Sequence, residues 1–509
     1  MVVTPRQGTY PSRPRWTRRR LYLTLGWAAV ALVVAALITV GLVWWLNPER
    51  HCTEGVEQRG TPAECVGVPD SGTFAFTDDL RDITARIATE NANITAEDDK
   101  TPYVEVAYLT TLTVRDDDSN SAESVRHELQ GAYLAQMRHN AAYSPRIKLI
   151  LANPGSHSRH WNFTVEKLKA RTGGDHPLVA VAGIGPSTPE NKKAARALSK
   201  AGLALAASTA TATDMVAERL VRVAPPNSAQ ARAAASYLHD EGYDTAALVV
   251  DKASDDNLYA RTLAEEFARA YPRGTRSRLA ERRYEYDSSH ESWGNQMHFL
   301  AEALCDERPE VVYFAGRGKQ LGRFLTELAD RPCRGQQDDA WQNVTVMTGD
   351  DTSNLSSAQL AESADKGVRL LFTGLAHPRM WDDRDDIPDP AREFAPGGRM
   401  AEWFPSDTHD DGQAMVAHDS VAVIGKALQM ARGENGSGDP RPDGKAVAAM
   451  FQVMISQKAH GAGGYLSFTE KGTVVDHGIP ILELVRREGK SGGDEDQLQG
   501  TARLRKVVW

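Results

Sequence analysis

Apolar residues from about Tyr103 onward recur in two alternating patterns. Short apolar runs, such as 103-YVEVAYL-109 and 178-LVAVAG-183, have the length and composition of buried β-strands. Between such runs lie stretches of about 10–15 residues whose apolar positions are three and four apart, which is the period of an amphipathic α-helix. Strands that alternate with helices of this length indicate parallel sheets with helical crossovers. The pattern therefore predicts an α/β protein.

The alternation restarts after the turn region 222-RVAPPNS-228, with about four predicted strands before this turn and about four after it. We therefore expect two doubly wound lobes, each a parallel sheet covered by helices. The predicted boundaries assign 102–223 with 352–460 to lobe 1, and 224–351 with 461–488 to lobe 2.

The segments outside the lobes differ from them in composition. An arginine-rich tail covers 1–20, an apolar segment covers 21–46, and a stalk covers 47–101. The stalk contains one predicted short helix, around 78-DDLRDITARIATEN-91. A polar tail is expected over 489–509, because this segment is rich in charged residues and glycine.

The apolar segment predicts a membrane anchor. Residues 21–46 are 26 consecutive residues without a charge. As a helix they would extend about 39 Å, more than the roughly 30 Å of the hydrocarbon core. Arg18, Arg19 and Arg20 directly precede the run, and positively charged flanks stay in the cytoplasm. The sequence thus predicts a single-pass cell-membrane protein with a cytoplasmic N-terminus and an extracellular segment 47–509.

A cleaved signal peptide is the alternative interpretation of the same segment. Its apolar region would cover about 7–15 residues and would be followed by small residues at the cleavage site. Here the apolar run is longer, and Asn47 and Pro48 follow it. A lipoprotein signal is disfavoured because Cys52 follows polar residues rather than an apolar and small-residue stretch.

The charges of the chain are unevenly distributed. The formal net charge is −9, yet residues 1–20 hold six arginines and no acidic residue. The remainder therefore has 68 acidic against 59 − 6 = 53 basic residues, an excess of 15 negative charges. Binding a phosphate backbone requires the opposite sign. We expect no nucleic-acid partner.

Four cysteines are too few for a disulfide-dense scaffold, and they lack the C-x-x-C spacing of structural zinc sites. In an extracellular protein we expect disulfides, and the preferred pairs are Cys52–Cys65 and Cys305–Cys333. Four cysteines allow three pairings, and the sequence does not choose among them. Four free buried thiols are the other interpretation.

The sequence contains no H-E-x-x-H, G-x-S-x-G, phosphate-binding loop or complete G-x-G-x-x-G motif. His157 and His160 lie three residues apart, without the further ligands that zinc requires. Asp116, Asp117 and Asp118 are typical of a solvated acidic loop. We therefore expect no enzymatic activity, no cofactor and no metal.

Hydroxyl-bearing residues follow two successive strands of lobe 1. Ser187 and Thr188 come after the strand 178–183, and Ser208, Thr209 and Thr211 follow the next strand. Ligands of parallel sheets bind beyond the carboxyl ends of the strands, and free backbone N–H groups with short hydroxyls suit a carboxylate. A helix cap at Thr188, and a plain loop after the next strand, are the alternatives.

Several stretches in this order resemble the type 1 periplasmic-binding proteins, in particular the branched-chain amino-acid substrate-binding components of ABC transporters. The likeness is carried by 124-SVRHELQGAYLAQM-137, with a small residue at Gly131, and by 181-VAGIGPSTPENKKAARALSKAGLALAASTAT-211. It continues in 249-VVDKASDDNLYARTLAEEF-267 and 311-VVYFAGRGKQLGRFLTEL-328. About three quarters of the chain is covered.

The resemblance implies two lobes joined by a three-crossing hinge, with a ligand held between them. The crossings would fall near Val223–Pro226, Asp351–Asn354 and His460–Gly464. The implied ligand-binding residues are Thr113, Ser187, Thr188, Ala206, Ser208, Thr209, Thr211, Tyr259 and Asp350.

The implied function is that of a membrane-anchored solute-binding protein, which traps a small polar, amino-acid-like ligand for an ABC permease or for a membrane signalling partner. The acidic residue that meets the ligand ammonium in such proteins falls at Gln320, which has no charge, so Asp350 or Asp351 would have to supply it. Ala260 replaces the usual glycine after Tyr259. These departures favour the alternative, a scaffold or interaction protein on a degenerate binding fold.

Overall fold

The computed structural model divides the chain into two compact units, Met1–Cys52 and Thr53–Trp509. The predicted tail 1–20 and most of the predicted membrane segment 21–46 lie outside the described residues. Among the residues that are described, no helix is both long and apolar enough to cross a membrane. The described residues are 27, 30–35, 39, 51–97, 101–253, 257–272, 277–335, 341–352, 355, 357–433, 440–454, 459–485 and 501–509.

The segment predicted as a stalk begins with three short strands, β1 (His51–Thr53), β2 (Val56–Arg59) and β3 (Glu64–Gly67). Strands β2 and β3 pair as an antiparallel hairpin. The end of β3 is joined to the main body, because Gly67 and Asn153 exchange two backbone hydrogen bonds of 2.9 Å.

Helix α1 (Arg81–Ala96) also packs on the body, with its apolar face buried. On that face Asn91 Nδ2 donates to the Leu149 carbonyl at 2.7 Å, and Asn91 Oδ1 accepts from the Leu149 N–H at 3.1 Å. The helix thereby satisfies backbone groups of a strand at the sheet edge. The stalk prediction is wrong for 53–97, because the hairpin and helix in this segment pack on lobe 1.

Lobe 1 is built on a parallel sheet. Its elements are β4 (Tyr103–Leu109), α2 (Ala122–Ala142), β5 (Arg146–Ala152), α3 (Trp161–Lys169), β6 (Leu178–Gly183), α4 (Pro189–Lys200), β7 (Ala204–Ala207) and β8 (Leu220–Arg222). The spatial order of the strands is β5-β4-β6-β7-β8. Ser121 is the N-cap of α2, and its hydroxyl accepts from the Ser124 N–H at 3.1 Å.

Lobe 2 also contains a parallel set of strands covered by helices. Its elements are α5 (Asn227–Asp240), β9 (Thr245–Asp251), α6 (Leu258–Ala270), β10 (Arg278–Tyr286), α7 (Trp293–Glu307), β11 (Val311–Ala315), α8 (Gly318–Ala329), β12 (Val344–Thr348), α9 (Ser357–Asp365) and β13 (Val368–Thr373). The parallel strands have the spatial order β10-β9-β11-β12-β13. The predicted α/β architecture with two parallel-sheet lobes is confirmed.

The predicted boundary of the second crossing is too early in the chain. Residues 352–460 were assigned to lobe 1, but β13 pairs in parallel with β12 and so belongs to lobe 2. The chain returns to lobe 1 only after Thr373. The error has a simple cause: an apolar run identifies a buried strand but does not say which sheet the strand joins.

The return to lobe 1 passes through α10 (Asp389–Arg392) and α11 (Arg399–Trp403) to the long helix α12 (Gln413–Arg432), followed by α13 (Gly444–Val453). Helix α12 packs along α2 at very short range. A Cβ on Gly131 would overlap the Ala414 carbonyl, so only glycine fits at this helix crossing.

A small hairpin then extends the edge of lobe 1. Its strands are β15 (Gly464–Phe468) and β16 (Val474–His477), preceded by β14 (Ala459–His460). The hairpin turn contacts lobe 1, because the Arg222 N–H donates to the Gly472 carbonyl at 2.8 Å. The third crossing therefore follows this hairpin, and the predicted position near 460–464 is wrong.

The last two strands complete the second sheet. Strand β17 (Ile479–Val485) is antiparallel to β13, and β18 (Thr501–Val508) is antiparallel to β17. The predicted polar tail is therefore wrong for 501–508, where Ala502 is buried and the strand covers the exposed edge of β17. Residues 489–500 of the predicted tail lie outside the described residues.

The predicted Cys305–Cys333 disulfide is present. It connects the last turn of α7 to the segment after α8, next to the buried core of lobe 2. Cys52 and Cys65 are disulfide-bonded as well, and no cysteine among the described residues is free.

Candidate functional site

The carboxyl ends of strands from both lobes face one cleft, which is where parallel-sheet proteins bind ligands. Lobe 1 contributes Ser187 from the loop after β6, and lobe 2 contributes Arg317 from the loop after β11. Arg317 Nη2 donates a hydrogen bond to the Ser187 carbonyl at 2.6 Å. The two lobes are therefore closed on each other at this point.

Arg317 organises the lobe 2 side of the cleft. Its Nη1 lies 3.1 Å from Asp351 Oδ2, and its guanidinium carbon lies 4.6 Å from the centre of the Tyr259 ring. The Tyr259 hydroxyl in turn accepts a hydrogen bond of 3.2 Å from the Asp351 N–H. Burial raises the pKa of Asp351, against the opposing effect of the guanidinium. The predicted site residue Tyr259 thus lies beside a cation that sequence reasoning did not select.

Two glycines at the strand ends make room for tyrosine hydroxyls. A Cβ on Gly316 would overlap the Tyr286 hydroxyl, and a Cβ on Gly349 would overlap the Tyr259 hydroxyl. Any larger residue at either position would displace the buried tyrosine hydroxyl that lies there.

Ser208 belongs to a buried polar cluster on the lobe 1 side. Its hydroxyl donates to the Gly183 carbonyl at 3.2 Å and lies 3.4 Å from the Tyr108 hydroxyl. Tyr108 donates to Glu128 Oε2 at 2.7 Å. Burial raises the pKa of Glu128 to about 7. The cluster therefore places a carboxyl group that titrates near neutrality behind a predicted ligand-binding hydroxyl.

Asp350 lies next to the first crossing. Gln230, in the first turn of α5, donates to Asp350 Oδ1 at 2.8 Å and accepts from Thr373 Oγ1 at 2.7 Å. Burial raises the pKa of Asp350 to about 7. The carboxyl group that was expected to meet a ligand ammonium is thus already engaged with α5.

Three buried polar atoms at the strand ends have no hydrogen-bond partner within the described residues. They are Thr209 Oγ1 in lobe 1 and, in lobe 2, the Tyr286 hydroxyl and Gln320 Oε1. Buried polar groups are normally paired with protein or with ordered water. These atoms are therefore available to a polar ligand or to bound water.

The remaining predicted residues are used within the protein. The Ser187 hydroxyl accepts from the Ala212 N–H at 2.9 Å, and the Thr188 hydroxyl caps α4 by accepting from the Asn191 N–H at 3.2 Å. Ala206 is buried inside β7, and the Thr211 carbonyl accepts from the Asn227 N–H at 2.8 Å.

Thr113 is occupied by the N-terminal hairpin. Its hydroxyl donates to Glu64 Oε2 at 2.5 Å and accepts from Asn153 Nδ2 at 3.0 Å. Glu64 Oε2 also accepts from the Ser156 N–H at 2.8 Å. The hairpin thus fills the place beside the first loop that was expected to receive ligand.

A second ion pair joins the lobes. Asp214, in the loop after β7, lies 2.8 Å from Arg261 on α6 of lobe 2 and 2.9 Å from Lys192 on α4 of lobe 1. The two cations lower the pKa of Asp214 against the effect of its partial burial. Opening the cleft would separate Asp214 from Arg261 but leave its pair with Lys192 intact.

The residues that sequence reasoning missed left weak signals. Glu128 lies between Val125 and Leu129, on the face of α2 that the apolar spacing marks as buried, and a charged residue there indicates a specific partner. Arg317 directly follows a predicted strand. Its partner Ser187 is 130 residues away in sequence, and no local pattern indicates that contact.

Comparison with solved structures shows that the two lobes have the fold of type 1 periplasmic-binding proteins. A leucine-binding protein from Thermotoga maritima matches with a TM-score of 0.56 at 14% identity, over 80% of this chain and 98% of that chain. The branched-chain amino-acid transporter substrate-binding protein from Streptococcus pneumoniae, in complex with isoleucine, matches with a TM-score of 0.53 at 14% identity. The match covers 79% of this chain and 100% of that chain.

A third match has a different ligand. The solute-binding protein of an ABC transporter from Rhodopseudomonas palustris, in complex with 3,4-dihydroxybenzoic acid, has a TM-score of 0.54 at 14% identity, over 80% of this chain and 97% of that chain. No protein-family model and no curated relative matches the sequence. The resemblance found in the sequence is confirmed as a distant structural match, and at these identities it establishes the fold.

Proposed function

We propose that this protein is a membrane-anchored extracellular solute-binding protein that traps a small polar, amino-acid-like ligand between its lobes. The observation that carries this proposal is the hydrogen bond from Arg317 to the Ser187 carbonyl, 2.6 Å long. It joins strand ends of opposite lobes in the cleft where the resemblance puts the ligand. A fold whose lobes meet through a few polar contacts is suited to opening and closing by a hinge.

The cleft offers both signs of charge to such a ligand. The Arg317 guanidinium is suited to a carboxylate, because it presents several donors in one plane. Asp351 is a buried carboxylate beside Arg317, and a carboxylate oxygen is suited to an ammonium group. Charge-assisted hydrogen bonds in a closed cleft would supply the affinity.

A membrane anchor would determine where the bound ligand is delivered. Residues 21–46 would hold the binding domain at the membrane surface, where an ABC permease or a membrane signalling partner receives the closed form.

The proposal is tested by a thermal-shift screen of the full-length chain in mild detergent, with the disulfides kept oxidised. Amino acids, amides, short peptides, aromatic acids and sugars form the library. A ligand at about 1,000 times its dissociation constant should add about 4 kcal/mol to the unfolding free energy, a shift of several degrees. Thr209→Ala should reduce the shift, whereas Thr172→Ala, which removes an exposed hydroxyl elsewhere in lobe 1, should not.

A scaffold function is the second candidate, and one observation favours it. The hydroxyls of Ser187 and Thr113 are bonded to Ala212 and Glu64, so the protein itself occupies two expected ligand contacts. A folded chain that no compound stabilises, and in which Thr209→Ala and Thr172→Ala behave alike, would favour the scaffold over the binding protein.

A further inference from the structure

Two segments that are far apart in the sequence bring three side chains that can ligate a metal to one point of lobe 1. His127 lies on α2, and Asp407 and His409 lie in the loop that precedes α12. One ligand atom from each of the three lies within 4.8 Å of the other two. We propose that His127, Asp407 and His409 form a binding site for a divalent transition-metal ion, best suited to Zn²⁺. Two imidazoles and one carboxylate are donors that Zn²⁺ accepts readily.

His127 presents its Nε2 atom to this point. The side chain is 2% exposed, and its Nδ1 lies 2.9 Å from Asp411 Oδ2. In a neutral ring whose Nδ1–H is donated to Asp411, Nε2 carries the lone pair, as in metal sites where a carboxylate orients the histidine ligand. Among the described residues Nε2 makes no hydrogen bond, and the Asp407 and Glu123 carboxylates lie 3.8 and 3.9 Å from it. A metal ion bound there would give this buried nitrogen a partner.

The spacing of the donors is close to that of a zinc site. His127 Nε2 lies 3.8 Å from Asp407 Oδ1. Zinc–ligand bonds of about 2.0–2.1 Å at a tetrahedral angle separate two ligand atoms by about 3.3 Å. A movement of about 0.5 Å, within the reach of a side-chain rotation, would bring both atoms to bonding distance.

The other two ligands are held in place by hydrogen bonds. Gln130 Nε2 donates to Asp407 Oδ2 at 2.8 Å, and Gln130 Oε1 lies 2.6 Å from His409 Nε2. Arg126 Nη2 donates to Asp407 Oδ1 at 2.9 Å, and this oxygen retains a second lone pair for a metal. Such surrounding bonds orient ligands and are part of a metal site.

The local charge favours a cation. The carboxylates of Asp407, Asp411 and Glu123 surround His127, with Glu123 Oε1 3.9 Å from Nε2. Arg126 opposes them, because it is paired with Asp407 and Glu123. The excess negative charge would stabilise a divalent ion in this buried position.

A cavity borders His127. Its volume is about 40 Å³, and it is lined by His127, Glu123 and Asp411, and on its far side by Asp350 and by Gly374 of the second crossing. This volume holds at least one water molecule beside His127. A water ligand would complete the coordination of a three-ligand zinc site. A bound metal would thus connect α2 to the return loop beside the hinge. The sequence predicts no metal, because the ligands follow no local spacing motif.

The test is zinc binding by the full-length chain, purified without a histidine tag, stripped with a chelator and dialysed. Equilibrium dialysis with elemental analysis should find one Zn²⁺ per chain. His409→Gln and Asp407→Asn should each weaken binding by at least about 100-fold, and Asp411→Asn by about 10- to 100-fold, because Asp411 only orients His127. His298→Gln is the matched control, since His298 is an exposed histidine beside Glu327 on lobe 2.

X-ray absorption of the zinc-loaded wild-type chain gives a readout that does not depend on variant folding. The proposal predicts two imidazole ligands and oxygen donors. It is overturned if the chain binds no Zn²⁺, which would show that His127 instead keeps a proton between its carboxylates. It is also overturned if folded His409→Gln and Asp407→Asn bind as the wild type does, or if the spectrum contains no imidazole. None of these outcomes depends on the solute bound between the lobes.

Discussion

The guanidinium of Arg317 in lobe 2 is hydrogen-bonded to the backbone carbonyl of Ser187 in lobe 1, at 2.6 Å. The same guanidinium is paired with Asp351 and lies over the Tyr259 ring, both in lobe 2. An opening motion would break the bond to Ser187 and leave the other two contacts intact. Arg317 therefore combines a contact between the lobes with contacts that stabilise lobe 2.

Replacing Arg317 should lower the free energy of unfolding. Arg317→Ala leaves the buried Asp351 carboxylate without its partner, so we expect the free energy of unfolding to fall by about 3 kcal/mol in urea titrations. Arg323→Ala, on the helix that follows Arg317, is the control, because the Arg323 side chain in its pair with Glu327 is half exposed and the pair should contribute less than about 1 kcal/mol. Equal effects of the two substitutions would contradict the buried-pair interpretation.

Asp350 should make stability depend on pH. Burial raises its pKa to about 7, with Asp351 adding to the rise and with Gln230 and Arg317 opposing it. Because the unfolded value is near 3.9, the folded state binds the proton more tightly. This contribution to stability is full below about pH 4 and is lost as the pH rises through about 7.

Asp350→Asn removes the titration while keeping an oxygen that accepts from Gln230. The variant should melt at a higher temperature than the wild type at pH 8, and the difference should shrink as the pH is lowered towards 4. Melting curves of both proteins between these limits give the comparison. A difference that stays constant with pH would show that Asp350 is ionised throughout.

Gly131 should be irreplaceable at the crossing of α2 and α12. A Cβ there would overlap the Ala414 carbonyl, which belongs to the backbone and cannot rotate away. We expect Gly131→Ala to destabilise the chain by about 2 kcal/mol or more, measured by urea titration. Gly294→Ala is the matched control, because Gly294 lies in α7 with no neighbouring atom near a Cβ, and it should be neutral or slightly stabilising.

Asn91 tests whether the N-terminal segment is part of the body. Asn91→Ala leaves the Leu149 backbone groups without their side-chain partner, at a cost of about 1–3 kcal/mol. Asn93→Ala, on the exposed face of the same helix, should change stability by less than about 0.5 kcal/mol. If both substitutions were harmless, α1 would behave as the free stalk that the sequence alone suggested.

The regular alternation of strands and helices was enough to predict an α/β fold with two lobes. It did not assign β13 to lobe 2, because an apolar strand fits the edge of either sheet. The alternation also did not predict β18, which pairs with β17 although residues 486–500 separate the two strands in the sequence. Such pairings depend on which sheet edge is left uncovered, and this is a property of the assembled fold.

The positions of some candidate residues in the fold were predictable. Ser187, Ser208 and Tyr259 lie at strand or helix ends, and that position follows from a parallel sheet. The hydrogen-bond partners of the candidate residues could not be predicted from the sequence. Thr113 was assigned to a ligand, but Glu64 of the hairpin bonds it, and the hairpin had been interpreted as a stalk.

The most direct test of a hinged binding protein is the distance between its lobes. Spin labels at Lys193→Cys on α4 and Arg269→Cys on α6 would report it by electron–electron resonance, since both side chains are well exposed and no described cysteine is free. In the full-length chain we predict two distances, with the open one gaining population in Arg317→Ala. A single distance that Arg317→Ala leaves unchanged would contradict a cleft that opens and closes.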